Sequence, residues 1–143
     1  MVEARRLFAN HRTTCSSFPS HRRDSVMFGF EKLEVWQKSI EFADHIYGVT
    51  RTFPGDERFG LTSQMRRASV SVASNIAEGS SRSSGRDFAR FIEIACGSSM
   101  ETVSHLAIAR RQEMISDADH RALYEETERI VRMLSGLRNS LCK

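Results

Sequence analysis

Five arginines near the middle of the chain, Arg66, Arg67, Arg82, Arg86 and Arg90, have the residue type and spacing to engage a polyanion. A guanidinium forks onto phosphate oxygens, and several together give salt-sensitive binding to nucleic acid. Between Arg58 and Arg111 eight arginines face only Glu78, Asp87, Glu93 and Glu101. Ion pairing competes with this reading, because a guanidinium held by a carboxylate offers little to phosphate. The spacing lets Arg67 reach Glu101 across a helical hairpin, which favours a structural role for Arg66 and Arg67. Arg82, Arg86 and Arg90 remain open to either use.

Catalytic chemistry finds less support. Asn75 and Glu78 have usable side chains, but no histidine, cysteine or second carboxylate stands at a matching spacing. They are assigned to capping or to an interhelical hydrogen bond. His45 lies one turn from Glu41 and His105 one turn from Glu101, whereas a di-metal bundle uses paired Glu-x-x-His motifs, so no metal site is expected. Cys15, Cys96 and Cys142 are too widely spaced for a zinc site or a disulfide framework, and Cys96 is expected to fill a buried helical face. No phosphate loop, nucleophile elbow or dinucleotide fingerprint occurs, so neither a cofactor nor an enzyme is expected. Trp36 and Phe42 could stack on bases, but their helical spacing assigns them to the core.

The elements that position these residues follow from periodicity. With 143 residues and 40% apolar against 27% charged side chains, the chain suits one globular domain. Pro19 and Pro54 are its only prolines, which favours long helices. The charge-free run from Ala68 to Ala77 falls well short of the roughly 20 apolar residues a membrane span needs. Residues 1–29 contain Arg5, Arg6, Arg12, Arg22 and Arg23 against Glu3 and Asp24. The whole +3 excess therefore lies there and the rest of the chain is balanced. This segment has no helical or strand period and reads as a disordered leader, or as upstream sequence before a start at Met27.

From Glu31 to Phe53 two adjoining registers, Leu33/Trp36/Ile40/Ala43/Tyr47/Thr50 and Val35/Ser39/Phe42/Ile46/Val49/Phe53, predict one helix with a wide apolar arc. Phe53-Pro54-Gly55 ends it. A second helix starts between Asp56 and Thr62 and runs to Glu78 on the stripe Leu61, Met65, Ala68, Val72 and Ile76, with Gly79 as a left-handed cap. A third, over Arg86–Gln112, is capped by Ser84 with Asp87 and buries Phe88, Ile92, Ala95, Ser99, Thr102, Leu106 and Ala109. Gly97 interrupts it and signals a close neighbour. The fourth starts at Ser116 and uses Leu123, Thr127, Ile130, Leu134, Leu137 and Leu141. The pattern is an all-α antiparallel four-helix bundle over residues 30–143. Facing positions of helices two and three should sum to about 164, which brings Arg67 within a turn of Gly97 and Glu101.

Phe30 to Lys38, Phe53-Pro54, the Gln64-Met65-Arg66-Arg67-Ala68 run, Ser74-Asn75-Ile76-Ala77-Glu78-Gly79 and Phe88 to Ser98 together resemble the four-helix-bundle family encoded in intervening sequences of 23S rRNA genes. The resemblance spans Phe30 to Leu141. It implies an up-and-down bundle assembled as a ring-like homopentamer, and it points to no enzyme. A related fold is that of the accessory protein of diversity-generating retroelements, which engages reverse transcriptase and nucleic acid. Cys96 stands where the family commonly has arginine and Ala73 where it has proline, which removes one cation and leaves the second helix straighter.

Trp36, Gln64, Arg67, Asn75, Glu78, Gly97 and Glu101 are accordingly expected to have structural or assembly roles. Arg66, Arg67, Arg82, Arg86 and Arg90 are the candidates for nucleic-acid contact. The expected protein is cytoplasmic, non-enzymatic and oligomeric, acting as a scaffold or associating weakly with RNA. The alternative is an interaction module whose ring surface docks a protein such as a polymerase.

Overall fold

A computed structural model describes residues 28–143. Four helices account for most of them: α1 (Glu34–Thr50), α2 (Leu61–Ser80), α3 (Gly85–Arg111) and α4 (Asp117–Leu141). Gly29, the last residue of the expected leader, opens a 3-10 turn over Gly29–Lys32, and a second such turn covers Gly55–Phe59. The rest of the leader lies outside the described residues.

Cross-helix contacts establish the antiparallel order. On α2 and α3, Ser71 meets Ser98 at 2.9 Å, and Gly79 lies against Phe88. Each step up one helix is therefore a step down its neighbour. On α3 and α4, Arg110 bonds Asp117 at 2.7 Å while Gly85 approaches Leu141. On α1 and α4, His45 meets Glu126, and Glu34 lines the same cavity as Met133. The α2–α3 pairs sit about one turn from the predicted register.

The predicted stripes form the core. Every expected core residue of α3, from Phe88 to Ala109, is buried, as are Met65, Ala68, Val72 and Ile76 of α2 and Leu123, Thr127, Ile130 and Leu134 of α4. Most hydroxyls that enter these seams bond a carbonyl one turn back in their own helix. Ser39, Thr50, Ser99, Thr102 and Thr127 all do so at 2.7–3.0 Å, whereas the buried Thr62 hydroxyl has no partner among the described residues. On α1 the wide arc divides. Val35, Phe42 and Ile46 are buried, whereas Ile40 and Tyr47 are 45% and 40% exposed. Trp36 is half-buried at the rim, edge-on to Phe30 with ring centres 5.2 Å apart.

Helix starts match their caps. Ser84 accepts a hydrogen bond from the Asp87 amide at 3.1 Å, and Ser116 accepts one from the Asp119 amide at 3.0 Å. Each serine also donates to the same aspartate's carboxylate. Two glycine expectations are corrected. Gly79 is no left-handed cap: it lies inside α2, and a Cβ there would stand 2.5 Å from the Phe88 ring and 2.7 Å from Phe91 Cβ. Its role is to admit α3. Gly97 has no close neighbour among the described residues, since a Cβ would meet nothing within 4 Å.

Among the described residues only Glu113 has the left-handed conformation, at φ 56°. It follows the C-cap of α3 in a Schellman closure. The Met114 amide donates to Ala109 O and the Glu113 amide to Arg110 O.

Candidate nucleic-acid interface

The five candidate arginines do not converge. Arg66 turns toward α1: its Nε donates to Thr50 Oγ1 at 2.8 Å, and its guanidinium lies 4.6 Å from the centre of the Tyr47 ring. A hydroxyl and an aromatic face hold that cation in place. Arg67, one residue on, lines a groove of about 360 Å³ between α2 and α3 with Gln64, Ala68, Ser71 and Glu101. The expected hairpin brings Arg67 and Glu101 to one groove, but the two form no ion pair among the described residues. Glu101 instead stands 3.9 Å from His105 Nε2.

The other three arginines lie at the α2–α3 connector. Arg82 is committed locally. It bonds Glu78 at 2.6 Å, covers the Phe91 ring at 4.5 Å, and buries an Nε that has no partner. Arg86 and Arg90 are exposed, one turn apart on α3, and enter no ion pair among the described residues. From Arg90 to Glu101, beside Arg67, is about 16 Å along the helix. The candidate surface is thus a free pair at the connector and a separate Arg67 groove.

Among the described residues Asn75 makes no interhelical hydrogen bond of its own and bonds only Ser71 in α2. Its Nδ2 donates to Ser71 O at 2.8 Å and to Ser71 Oγ at 3.0 Å, and that hydroxyl meets Ser98 of α3. The Glu78 carboxylate pairs with Arg82, while its backbone carbonyl accepts the hydrogen bond of the C-cap Ser81 amide. His105 is buried with its Nδ1 unpartnered, whereas His45 leaves Glu41 for Glu126 of α4. Cys96 is half-buried at the core's edge. Burial pushes its thiol above the ordinary value, opposed by Arg138 and reinforced by Glu93.

Sequence periodicity missed the exposed apolar side chains of α3. Ile94, Met100 and Ile108 are each about half exposed. Ile94 and Ile108 share a face with Gly97 and Glu101, and that spacing of three, four and seven was the available signal. No helix among the described residues is long and apolar enough to cross a membrane.

Bundle architecture, the Gln64–Ala68 and Ser74–Gly79 runs and the arginine layout define an all-helical protein of one recognisable kind. The chain belongs to the 23S rRNA-intervening sequence protein family, whose model matches residues 31–136. A solved structure from the S23 ribosomal protein family of Bacteroides thetaiotaomicron, itself of unknown function, is similar at a TM-score of 0.68 and 26% identity. The match covers 73% of this chain and 97% of that one. No curated protein matches the chain.

Proposed function

We propose that this protein is a non-enzymatic, cytoplasmic scaffold that assembles with copies of itself and associates weakly with structured RNA. The observation that supports it best is the connector surface. Arg86 and Arg90 project unpaired beside Arg82, so each copy offers two free guanidiniums and a third nearby. One copy contacts few phosphates. A ring of copies, pentameric as in the family resemblance, would multiply those contacts and steepen the salt dependence. Assembly draws on Ile40, Tyr47, Ile94 and Ile108, large apolar side chains left 40–52% exposed.

Native mass spectrometry with and without nuclease treatment reports subunit number and bound nucleic acid together. An oligomer that loses mass on nuclease treatment supports the proposal, and a stable monomer without nucleic acid overturns it. Gel-shift titration with a structured RNA then tests the patch. Replacing Arg82, Arg86 and Arg90 with alanine should weaken binding, and unchanged retention would remove these residues from the function.

The exposed α3 face also supports the second reading, a module that docks a protein such as a polymerase. Ile94, Met100 and Ile108 would then remain exposed in the assembled protein, and their replacement by serine would leave its mass unchanged.

A further inference from the structure

The α1–α4 seam, lined by none of the five candidate arginines, has a different character. Helices α1 and α4 meet along a furrow formed by two cavities of about 270 and 570 Å³, which share Glu126. It runs from Glu34 and Met133 at one end to Thr52 and Ile115 at the other. Measured along α4, that is about 27 Å, or five helical turns. Gly48 and Ala122 line the larger cavity, and a Cβ on Gly48 would meet nothing within 4 Å. The seam is open there because its lining is small.

The floor and rim differ in chemistry. Val49, Met114, Ile115, Leu123, Ile130 and Met133 give the furrow an apolar floor. On α4 Leu123, Ile130 and Met133 stand seven and three residues apart and so share one face of the helix. The rim holds the carboxylates of Glu34, Glu41, Asp44, Asp119 and Glu126 against only two permanent cations, Lys38 and Arg129. Glu41 pairs with Lys38 at 2.7 Å and Glu126 with His45 at 2.9 Å, which leaves Glu34, Asp44 and Asp119 without a cation among the described residues. That remaining negative charge repels nucleic acid and favours a basic partner.

From this juxtaposition we infer that the α1–α4 furrow is a docking groove for a basic amphipathic helix of a partner protein. Its apolar stripe would seat on Val49, Ile115 and Met133, the partly exposed members of the floor, and its flanking lysines or arginines would meet the acidic rim. The groove's five turns suit a helix of about 18 residues. The chain's own leader is basic but has no helical period, so it lacks the apolar stripe the floor requires. This inference is independent of the RNA reading, which rests on connector arginines that line neither cavity.

The test uses the full chain and a fluorescein-labelled 18-residue peptide with leucines at i, i+3, i+4 and i+7 and lysines elsewhere. A scrambled peptide of the same composition is the control. Fluorescence anisotropy should show the amphipathic peptide binding at least tenfold tighter than the scramble. Asp44→Lys with Glu126→Lys should weaken it at least tenfold. Gly48→Phe, which fills the opening without changing charge, should do the same. Glu125→Lys, on the exposed part of α4 outside the furrow, should leave affinity within twofold, and thermal melts confirm that each variant is folded.

Equal binding of the scramble, or indifference to both furrow variants, would overturn the proposal. Displacement of the peptide by a synthetic copy of residues 1–27 would assign the furrow to the chain's own leader. A fall in oligomer mass with Asp44→Lys and Glu126→Lys would assign it to a second copy. Either result also overturns the partner-helix inference. RNA retention is unaffected by these variants if the two surfaces are separate, so the two proposals fail independently.

Discussion

His45 on α1 and Glu126 on α4 are 81 positions apart in the chain, and His45 Nδ1 lies 2.9 Å from both oxygens of the Glu126 carboxylate. The contact bridges the seam that is otherwise an open furrow. Its histidine is 53% exposed and its glutamate 23% exposed, so water screens the attraction. A double-mutant cycle with His45→Ala and Glu126→Gln should give a coupling of about 0.2–1 kcal/mol in urea unfolding, diminishing in high salt. A larger, salt-independent coupling would show the pair to be more deeply desolvated than its exposure indicates.

Three glycines inside helices should respond to alanine in different ways. At Gly48 the new methyl enters open space and removes backbone freedom from the unfolded chain, so stability should rise by about 0.5–1 kcal/mol. At Gly79 it would collide with Phe88 and Phe91, and stability should fall by about 1–3 kcal/mol. Gly97 resembles Gly48 within one chain. If Gly97→Ala reduces oligomer mass in light scattering, another copy packs on that face. Urea unfolding of all three variants gives the ordering.

The turn between α3 and α4 holds a residue in an unfavourable conformation. Glu113 occupies the left-handed region at φ 56°, where a side chain costs roughly 1 kcal/mol that glycine avoids. Glu113→Gly should therefore raise thermal stability and leave the Schellman hydrogen bonds intact. A loss of stability would mean that the glutamate side chain makes a compensating contact.

The two cysteines among the described residues should react at different rates. Cys142 is exposed, whereas Cys96 is half-buried with its thiol raised by that burial. A raised thiol stays protonated at a pH where an ordinary one has begun to ionise, and only the thiolate attacks. At pH 8, iodoacetamide followed by peptide mass mapping should label Cys142 well before Cys96. Because the unfolded thiol ionises first, this group's contribution to stability declines as pH rises above the ordinary thiol range. Equal labelling rates would refute the assignment.

Much of the architecture was legible in the sequence, because apolar spacing and serine caps are local signals. Phe88 to Ala109 and the Ser84 and Ser116 caps needed no tertiary information. The misassignments have physical causes. Gly79 precedes a polar connector, where a left-handed cap is common, and only the packing of two phenylalanines shows that it admits α3. The left-handed residue is a glutamate, which carries no such signal. Arg67 and Glu101 fell near one another as the hairpin register requires, but register fixes helix position and leaves side-chain direction open. The α1–α4 furrow was hidden for a similar reason. Its acids carry no local signal that sets them apart from a solvated helix face, and the gap depends on small residues on two helices far apart in sequence.

The first turn of α1 and the closing turns of α4 share one end of the bundle, where Glu34 and Met133 line a common cavity. The Ser81–Ser84 connector lies at that end too, since Gly85 sits beneath the Leu141 carbonyl. The four helices therefore form a closed circuit, and the order in which the chain visits them is a matter of covalent linkage more than of packing. A circular permutant that joins residue 143 to residue 28 by a short flexible tether, and opens new ends between Arg82 and Ser83, retains every buried pair and could carry a fused reporter beside Arg86 and Arg90.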